Sequence, residues 1–147
     1  MENPKNQIDN STLPVDTTPK VTGIGGIFFF LENPQETKKW YVENLGLEIN
    51  DWGSSSFESR DLSRPDEILS FQWCPFKKGD KYFSPSTKEF MINYRVQNIE
   101  GLVNKLKEKG VTVLDDIVTY DFGKFVHIMD TEGNKIELWE PERKGSL

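Results

Sequence analysis

The chain has 147 residues, 24 acidic against 18 basic, for a net charge of −6. That length suits one ordinary domain with a real core. The acidic balance, without a basic stripe, argues against nucleic acid as a partner. No apolar run approaches the roughly 18 to 20 residues of a membrane span, and the polar N-terminus lacks a signal-peptide core, so a soluble, cytoplasmic protein is expected. The single cysteine, Cys74, excludes an intrachain disulfide and a multi-thiolate zinc site, and the single histidine, His127, confines imidazole chemistry to one position.

Residues 1–20 are rich in Asn, Thr, Pro and charge and read as a disordered N-terminal tail. Ordered structure is expected to begin with a strand over Val21–Leu31, apolar on both faces at its end. Asn33-Pro34-Gln35-Glu36 places an N-cap residue, a proline at the first helical position and an acid in the first turn, predicting a helix to Gly46 with Trp40, Tyr41 and Leu45 toward the core. Three short strands are predicted next, Leu47–Trp52, Ser56–Arg60 and Ile68–Trp73, parted by Gly/Ser and Arg-Pro-Asp turn signals. That is one β-α-β-β-β unit.

A polar linker, 77–88, intervenes, and the pattern restarts at Glu89–Val96. Asn98 can cap a second helix, in which Ile99, Leu102, Val103 and Leu106 form an apolar stripe ending at Gly110. Strands are predicted at Val111–Leu114, extending toward Val118, then at Lys124–Asp130 and Asn134–Trp139. The second half therefore repeats the first. Asn33 answers Asn98, Gly46 answers Gly110, and Trp73-Cys74-Pro75 answers Trp139-Glu140-Pro141. The predicted fold is α+β: two repeated βαβββ modules forming a cupped mixed sheet with helices on the convex face. Module one is 21–76 and module two 89–142 of a single domain, 21–142, with a short C-terminal tail at 143–147.

Over about residues 22 to 141 the chain resembles the vicinal oxygen chelate superfamily, which includes glyoxalase, bleomycin-resistance proteins, fosfomycin-resistance enzymes and extradiol dioxygenases. The stretches that carry the resemblance are WYVENLGL at Trp40–Leu47, FMINYRV before the second helix, KEKGV after it, and DTEGNKIELWEP at Asp130–Pro141. The resemblance implies that metal-dependent members hold a divalent ion with four side chains, mostly His and Glu, from the first and fourth strands of each module. Carried over, those positions fall on Gly26, Phe71, Met91 and Glu137, with Ser70 as the alternative to Phe71. Only Glu137 matches, and a catalytic metal needs about three protein donors. No cofactor is therefore expected, a divalent metal being the alternative.

Alternation along the strands then divides the two faces. The cup would receive Gly26, Phe28, Phe30, Phe71, Trp73, Met91, Asn93, Arg95, Phe125, Glu137 and Trp139. Ile27, Phe29, Leu31, Ile92, Tyr94, Val96, Ile136 and Leu138 would meet the helices. A slip by one would send Glu137 and Arg95 into the helix-sheet core. Asp130-Thr131-Glu132-Gly133-Asn134 reads as a hairpin with a three-residue loop, which places His127 opposite Glu137; a two-residue loop would place Val126 there instead.

Aromatic walls around a few polar groups suit a small-molecule pocket. Phe28, Phe30, Phe71, Trp73, Met91, Asn93, Arg95, Phe125 and Trp139 are the candidate ligand-binding residues. His127 and Glu137 are the candidate acid–base pair, and Arg95 is a candidate ion partner of Glu137. Three functions stand open: a metal-free cup for a small aromatic or amphipathic molecule; a metal-dependent lyase, isomerase or dioxygenase with a relocated site on His127 and Glu137; and an interaction protein whose cup is filled by its own side chains. A homodimer is expected from the resemblance.

Overall fold

The computed structural model describes residues 16–142. The expected tails therefore lie outside it, apart from 16–19, where the Thr17 and Thr18 carbonyls accept from the Asn98 and Gln97 side chains at 2.8 and 2.9 Å. In chain order the elements are β1 (Lys20–Leu31), α1 (Pro34–Leu45), β2 (Ser55–Asp61), β3 (Arg64–Lys77), a 3-10 turn (Lys81–Phe83), β4 (Phe90–Gln97), α2 (Ile99–Glu108), β5 (Val118–Tyr120), β6 (Gly123–Met129) and β7 (Lys135–Pro141). The strands form one sheet in the order β2-β3-β1-β4-β7-β6-β5.

The repeat is visible in the pairing. β1 runs parallel to β3 and β4 runs parallel to β7, each pair spanned by a helix, and the modules meet where β1 and β4 pair antiparallel. This is the predicted cupped mixed sheet, continuous across both modules. The two helix starts differ. Asn98 accepts from Gly101 N–H at 3.0 Å, whereas Asn33 makes no side-chain cap and α1 depends on Pro34 at its first turn and on Gly46 in the left-handed conformation at its end.

Two predicted strands are absent. Leu47–Trp52 is not a strand, because the Asn50 side chain folds back to accept from the N–H groups of Trp52 (3.0 Å) and Ser54 (3.1 Å), building a turn completed by Gly53 at φ 82°. Val111–Leu114 contributes only a single bridge, Val113 to Ile128, and the edge strand forms later, as β5. β3 is longer than predicted.

The core is lopsided. On the convex face of module two, Val96, Ile99, Leu102, Val103, Val126, Ile128 and Leu138 form a buried cluster under α2. Helix α1 buries no residue: Trp40 and Leu45, expected in the core, are 52% and 63% exposed, while the Tyr41 ring packs 5.0 Å from that of Trp73.

Denaturant unfolding is expected to report this difference. Leu138→Ala opens a cavity in the module-two core and costs about 2–5 kcal/mol, while Leu45→Ala stays within about 0.5 kcal/mol of the parent. Equal costs would mean that α1 is packed as tightly as α2.

Candidate functional site

The register of β4, β7 and β6 sets concave-face side chains side by side in rows. Arg95, Trp139 and Phe125 are one row, and Asn93, Glu137 and His127 the next. The β6–β7 hairpin has the three-residue loop, with Asp130 N–H donating to Asn134 O at 3.0 Å and the Asp130 carboxylate accepting from Glu132 and Asn134 N–H. His127 therefore faces Glu137.

Glu137 is 2% exposed, and both of its oxygens are engaged. Oε1 accepts from Asn93 Nδ2 at 2.7 Å; Oε2 lies 2.8 Å from His127 Nε2 and accepts from the Tyr82 hydroxyl. On the other side of the imidazole, Nδ1 is 2.7 Å from Asp115 Oδ2, and the His127 backbone N–H donates to Asp115 Oδ1 at 2.8 Å. Asp115 is solvent-facing and lies on the wall of a cleft of about 340 Å³ beside α2.

An imidazole with a carboxylate at each nitrogen has two acceptors to satisfy, which only the doubly protonated ring can do. Burial opposes that charge. The hydrogen bonds to Glu137 and Asp115, with the charges of both, outweigh it and raise the His127 pKa above 6.5. Burial, then the Glu137 charge, pushes the Tyr82 hydroxyl far above its ordinary value, so it stays protonated and donates to Glu137 while its oxygen lies 3.2 Å from His127 Nε2. Lys135, on β7 beside Glu137 in the sheet face, donates to the Tyr82 and Ser84 carbonyls at 2.6 and 3.0 Å and sits 5.2 Å from the Tyr82 ring centre. Its burial lowers its pKa, with Asp115 and Glu137 opposing.

Aromatic rings close both ends of this polar row. On one side Phe28, Phe83 and Met91 form a buried cluster with Phe30, Phe76 and Cys74 against it. On the other, Trp139 is stacked on Phe125 at 5.8 Å, and its Nε1 donates to the Phe122 carbonyl at 2.9 Å. The Tyr120 and Phe122 rings, stacked on each other at 5.4 Å, continue that wall to solvent.

The glycines of β1 make room for this. A Cβ on Gly25 would lie 2.3 Å from Asn93 Oδ1 and 2.8 Å from the Trp139 ring, and one on Gly23 would lie 2.8 Å from an Arg95 nitrogen. Arg95 uses that space to cross β1 and donate to the carbonyls of Ile24 (3.1 Å) and Ser70 (3.2 Å). It does not pair with Glu137; protonated His127 is the counter-ion. Asn93 Oδ1 and Arg95 Nε are buried without a partner.

Of the expected lining residues, Phe28, Phe30, Met91, Asn93, Arg95, Phe125 and Trp139 are on the concave face. Phe71 and Trp73 are not. Trp73 packs on Phe29 (5.2 Å) and on Tyr41 of α1, which puts it and, two residues away, Phe71 on the convex side. The concave positions of β3 are Gln72, Cys74 and Phe76. The correction follows from register: Gly26 pairs with Gln72, and the Trp-x-Pro motifs of the two modules present opposite faces. Tyr82, Phe83, Asp115 and Lys135 escaped the sequence reading, since the first two lie in the predicted linker, Asp115 lies where the predicted strand extends toward Val118, and Lys135 looks like an ordinary hairpin lysine.

The family's metal does not fit this residue set. Gly26 and Met91 carry no hard donor, and Glu137 and His127 are already fully engaged, which leaves too few free donors for a catalytic ion. Among the described residues no three His, Cys, Asp or Glu side chains are grouped to hold an ion.

The comparisons agree with this architecture. The family model described as the Glyoxalase/Bleomycin resistance protein/Dioxygenase superfamily matches residues 23–138, and the chain belongs to that superfamily. A search of the curated proteins finds no significant match. Similar solved structures include a methylmalonyl-CoA epimerase in complex with methylmalonyl-CoA and NH4+ (17% identity, 87% of this chain and 100% of that one, TM-score 0.60). The methylmalonyl-CoA epimerase from Mycobacterium tuberculosis is another (17% identity, 87% and 93%, TM-score 0.55). A glyoxalase/bleomycin resistance protein/dioxygenase superfamily member from Vibrio splendidus 12B01 is a third (11% identity, 84% and 99%, TM-score 0.51). At these identities the likeness is one of fold.

The imidazole geometry has a measurable consequence. NMR titration of His127 is expected to give a pKa above 6.5, falling in both Glu137→Gln and Asp115→Asn. Because the folded value is raised, His127 contributes stability that is fully present below the unfolded pKa and is lost as pH rises through the folded one. An unchanged titration in both variants would sink the two-carboxylate clamp.

Proposed function

We propose that the protein binds a small aromatic or amphipathic molecule on the concave face, with the Asn93–Glu137–His127 row as its polar contact and the aromatic side chains as its walls. One observation carries this reading: a buried carboxylate, held by side chains from β4, β6 and the Lys81–Phe83 turn, stands at the centre of a cup with aromatic rings at both ends. A cup filled only for stability has no use for it, because an apolar residue of similar volume there is as stable or more so. Sparse convergent polar groups among apolar walls are what a ligand site requires.

The likeness to methylmalonyl-CoA epimerases supports a small-molecule ligand for this fold without naming one here. The metal-dependent reading loses support because the donor set does not fit. Acid–base chemistry on a bound molecule is compatible with the pair, Glu137 as acceptor and His127 as its charged partner. A homodimer belongs to the same proposal, supported by the exposed apolar side chains of α1.

The test is a fragment screen with flat aromatic molecules, indole and quinoline among them, read on the four tryptophan indole N–H signals and the ring signals of the single histidine. Trp139 and His127 are expected to shift while Trp40, Trp52 and Trp73 stay still, and Glu137→Gln is expected to weaken binding about tenfold, the worth of about 1.4 kcal/mol. Shifts confined to Trp40 and Trp52 would mean that the aromatic surface outside the cup is the binding face.

A further inference from the structure

The segment that fills the cup belongs to the chain but not to the sheet. Between β3 and β4 the backbone leaves the sheet at Lys78, whose N–H donates to Leu31 O at 2.9 Å, and rejoins it at Glu89, whose carbonyl accepts from Phe30 N–H at 2.9 Å. Both ends are thus tied to β1. Between them the backbone hydrogen bonds are local: Asp80 N–H to Lys77 O, Ser84 N–H to Lys81 O and Ser86 N–H to Phe83 O, each 3.0 Å. Gly79, at φ 90°, turns the chain inward, and the Asp80 carboxylate caps the 3-10 turn by accepting from Tyr82 N–H at 2.8 Å.

The turn is held in the cup by side chains. The Phe83 ring, 1% exposed, stacks on Phe30 at 4.4 Å, and the Tyr82 ring stacks on Phe76 at 5.5 Å. The Tyr82 hydroxyl donates to Glu137, and the Lys135 ammonium grips the carbonyls of Tyr82 and Ser84. Moving the turn outward breaks these contacts and no rung of the sheet. While it is in place, it covers the polar row that the proposed ligand has to reach.

We infer that the Lys81–Phe83 turn is an internal occupant of the cup, a lid swinging on its two β1-tied ends, and that the molecule replacing it carries a flat ring with a hydrogen-bond donor. The second half follows from what the lid supplies: a ring for Phe76 and a hydroxyl for Glu137. This half rests on the ligand-binding reading above; lid opening does not, and can be read with no ligand present.

Cys74 is a native reporter, being the chain's one cysteine and packed against the Phe28–Phe83–Met91 cluster beneath the turn. The experiment follows its alkylation by iodoacetamide, together with deuterium uptake over residues 78–86, by mass spectrometry. Tyr82→Phe, which removes the Glu137 contact, and Lys135→Met, which removes the carbonyl grip, are each expected to speed both readouts about tenfold while uptake in β6 and β7 stays at the parent level. Rates that match global unfolding in the parent and both variants would show the turn to be fixed core and overturn the lid. For the ligand half, p-cresol, the free counterpart of the tyrosine side chain, is expected to raise uptake over 78–86 in the parent protein, and toluene, lacking the hydroxyl, is not. Equal effects from the two, or none, would overturn the stated ligand chemistry. A failed indole screen and a closed lid are therefore separate results.

Discussion

The antiparallel ladder between β1 and β4 is the constraint on which the rest of this structure depends. It joins the two modules into one sheet and pairs Gly26 with Asn93 and Phe28 with Met91, so that both halves of the cup share one side-chain alternation. Each module continues that alternation through its own parallel pair, β1 with β3 and β4 with β7. A shift of one residue along the seam would exchange the polar row for the convex residues and place a carboxylate in the helix-sheet core. The irregularities in β1, between Val21 and Gly23 and between Ile24 and Gly26, lie where Arg95 and Asn93 cross over glycine.

Given that sheet, the electrostatics of the centre follow. Taking a carboxylate out of water costs on the order of several kcal/mol unless a partner charge and hydrogen bonds replace the solvent. Glu137 obtains the charge from His127 and the bonds from Asn93 and Tyr82, and His127 in turn is clamped by Asp115, which remains in contact with water. The cluster connects the interior of the cup to the surface through one imidazole. Its members come from β4, β6, β7 and two connecting segments, so it is assembled only when the whole of module two and the lid turn are in place.

The two modules divide the work unequally. Module two has a buried helix-sheet core, a side-chain cap on its helix and nearly all of the polar residues of the site. Module one contributes glycines that leave room for module-two side chains, aromatic rings on β1 and β3, and a helix that covers little. A duplicated fold can tolerate this because the shared sheet lets the better-packed half hold the other in register.

What the sequence determined by itself was local or periodic: the repeat, the amphipathic stripe of α2, and the hairpin loop from Asp130 to Asn134, whose length sets His127 against Glu137 through backbone geometry within fifteen residues. Where it misled, the cause was again physical. Leu47–Trp52 has strand-like composition, but the Asn50 side chain supplies a competing local hydrogen-bond pattern. Trp73-Cys74-Pro75 resembles Trp139-Glu140-Pro141, yet two matching residues do not carry register, and a period of two turns a one-residue offset into the opposite face. Trp40 and Leu45 have a core-facing spacing without a core to face. Only the tertiary structure decided which groups complete the centre: Tyr82 and Asp115 reach it from 55 and 22 positions before Glu137. No periodicity links such positions, because their meeting depends on the closure of the sheet and on the path of a connecting segment across it.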